Sequence, residues 1–324
     1  MSTPITAALV KELRERTGAG MSDCKKALEA TAGDIDAAAE KLRMDGAAKA
    51  DKKAGRTAAE GMVAIAANDQ AVAVVELNSE TDFVAKNADF RALANTVAQA
   101  ALASRPASLE ALLALKAGGD KTLDELRREA VAKIGEKIDI RRFEVIPSHG
   151  GPVATYIHPG DKIAVVVAMK QGEHELAKDL AMHIAAMAPK HLDASAVPAE
   201  AVESERKIIE AQVAQEQADE AARAAEEGRQ HKPKPAEIVA KMVEGKVRKF
   251  LSEITLHGQA FVKDADQTVE KLLKAKNAAV GQFTRVMVGE GIEKKKTDFA
   301  AEVMEQAGLK KDEPKKDGDA PATV

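Results

Sequence analysis

The stretch ELNSETDFVAKN, Glu76 to Asn87, joins two different local patterns. Two short runs rich in Val and Ala lead into the stretch, Met62–Ala67 and Ala71–Leu77. They flank a polar turn, which is typical of a β-hairpin. After the stretch, apolar residues recur at helical spacing. Phe83 stands among polar residues at this junction, although the chain has only seven Phe, one Tyr and no Trp. The place of this one ring therefore needs an explanation.

Phe83 fits two interpretations. It could belong to the core, because it falls on one helical stripe with Phe90, Leu93, Val97 and Ala101. The same TDF triplet recurs at Thr297-Asp298-Phe299, where it reads as an ordinary helix start whose Phe begins the buried face. It could instead lie on the surface, because Lys86 and Asn87 fill the intervening turn of the stripe. The pattern alone favours the core.

Composition indicates a globular protein of two or three domains. The chain has 324 residues, and 45% of them are hydrophobic, yet no apolar run approaches the roughly 20 residues of a membrane helix. The start MSTPITAALVKELRERTG resembles neither a signal peptide nor a transit peptide, so we expect the cytoplasm and no membrane. The 48 basic and 52 acidic residues are intermixed, and only 2% of residues are aromatic, which argues against nucleic-acid binding. The single cysteine, Cys24, excludes an intrachain disulfide and predicts a small apolar position in a helix.

Residues 4–45 predict three short helices with a thin core. Gly18-Ala19-Gly20 ends the first, Ser22 can cap the second, and Gly33-Asp34 opens the third. Such a unit is expected to dock onto something. The following segment, residues 46–61, reads as a linker or a loose helix.

The remainder predicts two units that each combine a hairpin with helices. Helices are expected at about 88–103, 107–117, 122–135 and around Leu176–Met187, and strands at Ile138–Ile146, Val153–His158 and Lys162–Met169. Pro159-Gly160 suits a type II turn. Two long helices, 198–230 and one ending at Ile254, flank KPKP and predict an antiparallel hairpin. Gln259–Val262 and Val280–Val288 look like strands, with helices near 267–276 and from Thr297, and the tail from Lys310 should be disordered.

Chemical motifs of enzymes are missing. No phosphate-binding G-x-x-x-x-G-K-[ST] motif and no G-x-S-x-G motif occurs. His174-Glu175 resembles the start of a zinc-protease motif, but Lys178 occupies the position of the second histidine. His183 and His191 lie too far apart to share one helix face and are interpreted as surface or interface histidines. We therefore expect no active site of its own, no metal and no cofactor.

Two segments resemble the signature segments of the bacterial elongation factor Ts family. They are LRERTGAGMSDCKKAL, at Leu13–Leu28, and ELNSETDFVAKN, at Glu76–Asn87. Further similar segments, in the same order, include AKIGEKIDIRR, YIHPGDKIAVVVA, AMHIAAM, EIVAKMVEGKVRKF, GQAFVKD and VGEGIEKKKTDFAAEV. The likeness covers about residues 1–308. It departs near 216–235, which is longer than expected, and in the polar tail beyond 309.

The resemblance implies an α+β multidomain fold. It comprises an N-terminal ubiquitin-associated-like three-helix domain, a core of two α+β subdomains with antiparallel sheets, an inserted antiparallel coiled coil and a C-terminal helical module. The expected limits are 1–50 with a linker to about 60, 61–142 for subdomain N, 143–195 with 255–280 for subdomain C, 196–254 for the helical hairpin, 281–308 for the C-terminal module and 309–324 for the tail.

The resemblance also implies a function and a partner. Members promote guanine-nucleotide exchange on elongation factor Tu, in its GDP-bound and nucleotide-free forms, and a TDFV turn enters the partner near its magnesium ion. That role falls to Thr81, Asp82, Phe83 and Val84, which turns the interpretation of Phe83 from core to interface. The further partner contacts implied are Arg14, Met21, His158, Phe261 and Val262. A scaffold or RNA-binding helper that uses the charged hairpin, and a GTP hydrolase, remain as alternatives.

Overall fold

Glycines and capping residues divide the start of the chain into three helices. The structure is a computed structural model that describes residues 4–117, 119–230 and 232–293. The helices are α1 (Ala7–Thr17), α2 (Met21–Ala30) and α3 (Ile35–Lys53). Gly18 ends α1 in the left-handed conformation at φ 69°, and the Asp34 side chain caps α3. The prediction that Ser22 caps α2 is wrong, because α2 begins at Met21 after Gly20 and Ser22 already lies in its first turn.

The first sheet follows the predicted hairpin. Its strands are β1 (Glu60–Ala67), β2 (Ala71–Ser79) and β3 (Ile138–Pro147), all antiparallel in that order. Between β2 and β3 the chain forms α4 (Ala88–Ser104), the short α5 (Leu109–Leu113) and α6 (Leu123–Ile134). Every residue of the central strand β2 is buried, which fits its nearly continuous run of apolar residues. The predicted helix at 107–117 is confirmed only over its middle, as α5.

The second sheet repeats this arrangement with a later third strand. It pairs β4 (Val153–Ile157), β5 (Ile163–Gln171) and β8 (Ala279–Met287), again antiparallel. Helices α7 (His174–Met187) and α10 (Val269–Ala275) belong to it, and a small ribbon joins β6 (Ala260–Phe261) to β7 (Asp264–Thr268). The sequence did not predict β7, because DADQT has no apolar alternation.

Three apolar clusters arrange these elements in layers. One cluster lies between the two sheets and includes Val63 and Val74 from the first and Val166 and Val286 from the second. A second packs α4 and α6 on the outer face of the first sheet, and a third packs α7 and α10 on the outer face of the second. The core is therefore two helix-covered sheets that face each other, which is the mixed architecture that the sequence predicts.

The long helices form the predicted antiparallel hairpin. They are α8 (Ala199–Glu226) and α9 (Ala236–Ile254). Ile209 and Val213 of α8 pack against Val243 and Val247 of α9 in a narrow apolar seam. The finer coiled-coil geometry of this hairpin stays a prediction.

Two of the expected domain limits need correction, because each divides a strand. The limit after 142 falls inside β3, which pairs with β2 over its whole length, and the limit after 280 falls inside β8, which pairs with β5. The other limits stay predictions. The described residues up to Glu290 form one compact unit, and all contacts discussed below lie within it. The predicted helix from Thr297, with Phe299, and the tail at 309–324 lie outside the described residues.

Candidate partner-binding surface

The TDFV segment forms a fixed turn between β2 and α4. Val84, Ala85 and Lys86 make one turn of 3₁₀-helix, in which Lys86 N–H donates to the Phe83 carbonyl at 3.1 Å. Asn87 then caps α4 by accepting hydrogen bonds from two backbone N–H groups. The helix therefore begins after Phe83, and this ring does not lie on the helical stripe that suggested a core position.

The turn exposes Phe83 and buries the residue after it. The Phe83 side chain is 77% exposed, while Val84 is buried in the cluster on the outer face of the first sheet. The core interpretation of Phe83 is therefore wrong. Val84 anchors the turn from inside, so its side chain is not available at the surface as the resemblance implied. The turn therefore presents a large apolar ring to solvent on a backbone that is anchored from inside.

Polar neighbours hold the rest of the turn. Thr81 donates its backbone N–H and its hydroxyl to the two carboxylate oxygens of Glu136, at 2.9 and 2.7 Å. Glu80 accepts a hydrogen bond from Lys137 N–H at 2.6 Å and pairs with Arg56 at 3.3 Å. Asp82, in contrast, is exposed and makes no hydrogen bond or ion pair with any residue that the structure describes. An exposed carboxylate without a partner among the described residues, that of Asp82, thus lies beside the exposed ring of Phe83.

The three-helix unit lies against the core close to this turn. Gly46 of α3 meets Ala132 of α6 so closely that an added Cβ would come within 2.9 Å of the alanine methyl. Asp51 of α3 pairs with Arg128 of α6 at 3.3 Å. The three-helix unit thus packs on α6, and its docking onto a partner stays a prediction. Helix α3 runs to Lys53, through half of the segment interpreted as a linker or loose helix.

The predicted contacts Arg14 and Met21 are both exposed on the three-helix unit. They flank the Gly18 turn, which lies against the side chain of Lys133. The Lys133 ammonium pairs with Asp89, in the first turn of α4, at 2.7 Å. One lysine therefore connects the turn beside Met21 with the helix that follows Phe83. Cys24 is fully buried in this unit, as predicted.

His158 lies at the exposed tip of the β4–β5 hairpin. Its carbonyl accepts a hydrogen bond from Asp161 N–H at 3.0 Å across the predicted Pro159-Gly160 turn, where Gly160 has a φ of 95°. Asp161 also pairs with Arg91 of α4 at 2.7 Å. The hairpin tip is therefore tied to the helix that begins just after Phe83.

Phe261 and Val262 differ in accessibility. Phe261 is buried in the cluster on the outer face of the second sheet, so its ring is not available at the surface of the free protein, whereas Val262 is exposed. The contact of each with a partner stays a prediction. The imidazole of His183 lies under them: its Nδ1 accepts the Val262 N–H at 3.1 Å and its Nε2 lies 3.0 Å from Gln259 Oε1. Burial lowers the pKa of His183, against a smaller opposing effect of Gln259, and favours the neutral ring. The interpretation of His183 as a surface residue is therefore wrong.

A buried carboxylate joins the two sheets behind the site. Glu76 in β2 is inaccessible to solvent and accepts hydrogen bonds from Arg141, Arg142 and the backbone N–H of Gly289, at 2.9, 2.6 and 2.8 Å. Arg142 also donates to the Met287 carbonyl at 3.0 Å. This cluster was not predicted from the sequence, although a glutamate near the end of an apolar strand was a visible signal.

In the described part of the chain, no helix is long and apolar enough to cross a membrane. Among the same residues, no three or more His, Cys, Asp or Glu side chains lie together so that they could hold a metal ion.

Comparison with known proteins identifies the family. The family model described as Elongation factor TS matches residues 80–290. The protein named Elongation factor Ts from Methylococcus capsulatus is 53% identical over 304 residues, covering 93% of this chain and 98% of that protein. Those of the same name from Thioalkalivibrio sulfidiphilus and Xanthomonas oryzae are 51% and 52% identical over 305 residues, covering 94% of this chain and 98% and 99% of the relatives. Since the likeness extends over nearly its whole length, this chain belongs to the elongation factor Ts family of translation elongation factors.

Proposed function

We propose that this chain is a guanine-nucleotide exchange factor for elongation factor Tu. It binds the GDP-bound partner, promotes release of GDP and leaves a nucleotide-free complex that GTP can load. The observation that carries the proposal is the exposed Phe83 on its anchored turn, inside the segment that matches the family model. This function places the chain with its partner in the cytoplasm.

Phe83 acts as a wedge, with Asp82 beside it. Insertion of the ring between packed elements of the partner shifts them, because protein interiors are close-packed and move in discrete steps. The shift displaces the magnesium ion that bridges the nucleotide's phosphates to the partner. Without magnesium the diphosphate charge is less neutralised and GDP is held more weakly. Thr81 and Val84 serve as the fixed ends of the turn.

The energetics require more than one contact. Burying one Phe side chain contributes about 1.5–3 kcal/mol, and each tenfold gain in release needs about 1.4 kcal/mol. The ring alone therefore accounts for roughly one or two orders of magnitude. Binding is also added by Arg14 and Met21 on the three-helix unit, by His158 at the tip of the β4–β5 hairpin and by Val262 beside the β6–β7 ribbon. By linkage, the chain weakens nucleotide binding as much as nucleotide weakens binding of the chain, so incoming nucleotide releases it.

The direct test is release of labelled GDP from elongation factor Tu with and without this chain. We expect catalytic amounts of the chain to accelerate GDP release. We also expect that the chain alone, incubated with GTP in the absence of the partner, produces no phosphate. A hydrolase would instead produce phosphate from GTP by itself. A scaffold or RNA-binding helper would leave the release rate unchanged, and that result would overturn the proposal.

A further inference from the structure

We propose that Glu136 is a positioning residue that holds the Phe83 turn in its binding-ready shape, an inference that rests on the exchange function proposed above. Glu136 lies 55 residues beyond Thr81 in the sequence, in the loop between α6 and β3. No motif assigns it a role. Its carboxylate nevertheless accepts two hydrogen bonds from the first residue of the TDFV segment, whose carbonyl also accepts the Ser79 hydroxyl at 2.8 Å.

The loop and the turn meet where two strands separate. The ladder between β2 and β3 ends at the pair Ser79 and Ile138. Beyond that pair, two carboxylates replace the backbone ladder in a reciprocal way. The Glu80 carboxylate accepts the Lys137 N–H, and the Glu136 carboxylate accepts the Thr81 N–H. The strand ends are thus joined by two crossing bonds, which define the direction in which the turn leaves the sheet.

Glu136 accepts two hydrogen bonds from Thr81. One oxygen accepts the backbone N–H and the other accepts the hydroxyl, at 2.9 and 2.7 Å. Hydrogen bonds to an ionised acceptor are stronger than neutral ones, and two bonds to one residue fix both its backbone and its side-chain rotamer. Thr81 is therefore the outer anchor of the turn.

Val84 and Ala85 form the inner anchor, since both are buried in the cluster on the first sheet. Asp82 and Phe83 stand between the two anchors, and this explains how a ring with little packing of its own keeps one position. Ordering a loop on binding opposes association, so a turn that is ordered beforehand inserts more readily. Loss of the outer anchor should free Asp82 and Phe83 while leaving the core intact.

The test compares Glu136→Ala with Glu136→Gln. Glutamine is nearly the same size, and it can accept the Thr81 N–H through its oxygen and donate its amide N–H to the Thr81 hydroxyl. Alanine can do neither. Glu129→Ala is the matched control, because Glu129 is a surface carboxylate of α6 that pairs only with Lys121 among the described residues.

Backbone hydrogen exchange of the Thr81 N–H, which donates to the Glu136 carboxylate, is the first readout in the free chain. Because hydrogen bonds to charged groups are strong, we expect exchange to become about tenfold to a hundredfold faster in Glu136→Ala. Glutamine should largely restore protection, and the Glu129→Ala control should match the wild type. The midpoint of thermal unfolding should hardly change in any variant.

The maximal rate of GDP release from elongation factor Tu is the second readout. It should fall about tenfold in Glu136→Ala and recover in Glu136→Gln. Unchanged hydrogen exchange in Glu136→Ala would overturn the anchoring role. Faster hydrogen exchange with an unchanged release rate would overturn the link to function. If the wild type itself failed to accelerate release, the proposed function would be wrong, and the hydrogen-exchange comparison would still decide whether Glu136 anchors the turn.

Discussion

Phe83→Ala should leave the protein as stable as the wild type and slow its stimulation of GDP release by about tenfold to a hundredfold. Stability should be unchanged because the ring is 77% exposed and packs against little in the free chain. The rate should fall because about 1.5–3 kcal/mol of burial in the partner is lost. Thermal unfolding and the stimulated rate of labelled GDP release, each measured on the purified variant, give the two quantities.

Phe90→Ala is the matched control, since Phe90 lies seven residues on and is fully buried in the cluster on the first sheet. Its truncation should cost about 3–5 kcal/mol of unfolding free energy. The folded fraction should still stimulate release. A Phe83→Ala protein that unfolded early but exchanged normally would return Phe83 to a structural role and remove the wedge.

Glu76→Ala should destabilise the protein by about 3 kcal/mol at neutral pH. The change leaves the Gly289 N–H and two arginines without their buried acceptor, and breaking a buried ion pair costs about 3–5 kcal/mol. We expect a loss at the lower end of this range of free energies because Arg141 and Arg142 keep some contact with water. Gly289 packs closely against the backbone of Ala59, since a Cβ there would lie 2.3 Å from the Ala59 carbonyl oxygen. Urea unfolding measures the loss.

The same cluster predicts a pH dependence. Burial alone raises the pKa of Glu76, but the hydrogen bonds from Gly289, Arg141 and Arg142 together outweigh it, so the pKa lies below its ordinary value of 4.5. A lowered pKa stabilises the fold above the unfolded value, and this stability is lost as the pH falls through the folded value. Glu76→Gln should therefore lose less stability than the wild type on acidification below about pH 5. Equal acid sensitivity would show that Glu76 does not contribute as described.

Local patterns predicted most of the elements because their periodicity is strong. The two hairpins, α4, α6 and the long helical hairpin all follow from spacing and turn residues. The pattern failed at Phe83 because helical spacing was extended past the start of α4, which Asn87 caps. It failed at His183 because spacing alone does not show that its ring accepts a backbone N–H from Val262.

Sequence alone could predict only those residues of the candidate partner-binding surface that follow one another in the chain. The TDFV residues are contiguous, so resemblance could assign them. Glu136 and Glu76 act through partners 55 to 213 residues away, and one sequence without structure contains no record of such pairs. Whether a side chain such as Val84 or Phe261 faces the core or a partner likewise depends on tertiary packing.

The proposal that the turn acts by displacing magnesium is tested most directly by one comparison. The rate of GDP release from elongation factor Tu is measured with wild type and with Phe83→Ala, once in magnesium and once after magnesium is chelated. If the ring works by removing the ion, the wild type should exceed Phe83→Ala by about tenfold or more in magnesium, and the two should stimulate release almost equally without it. A defect in Phe83→Ala of the same size under both conditions would contradict the magnesium mechanism.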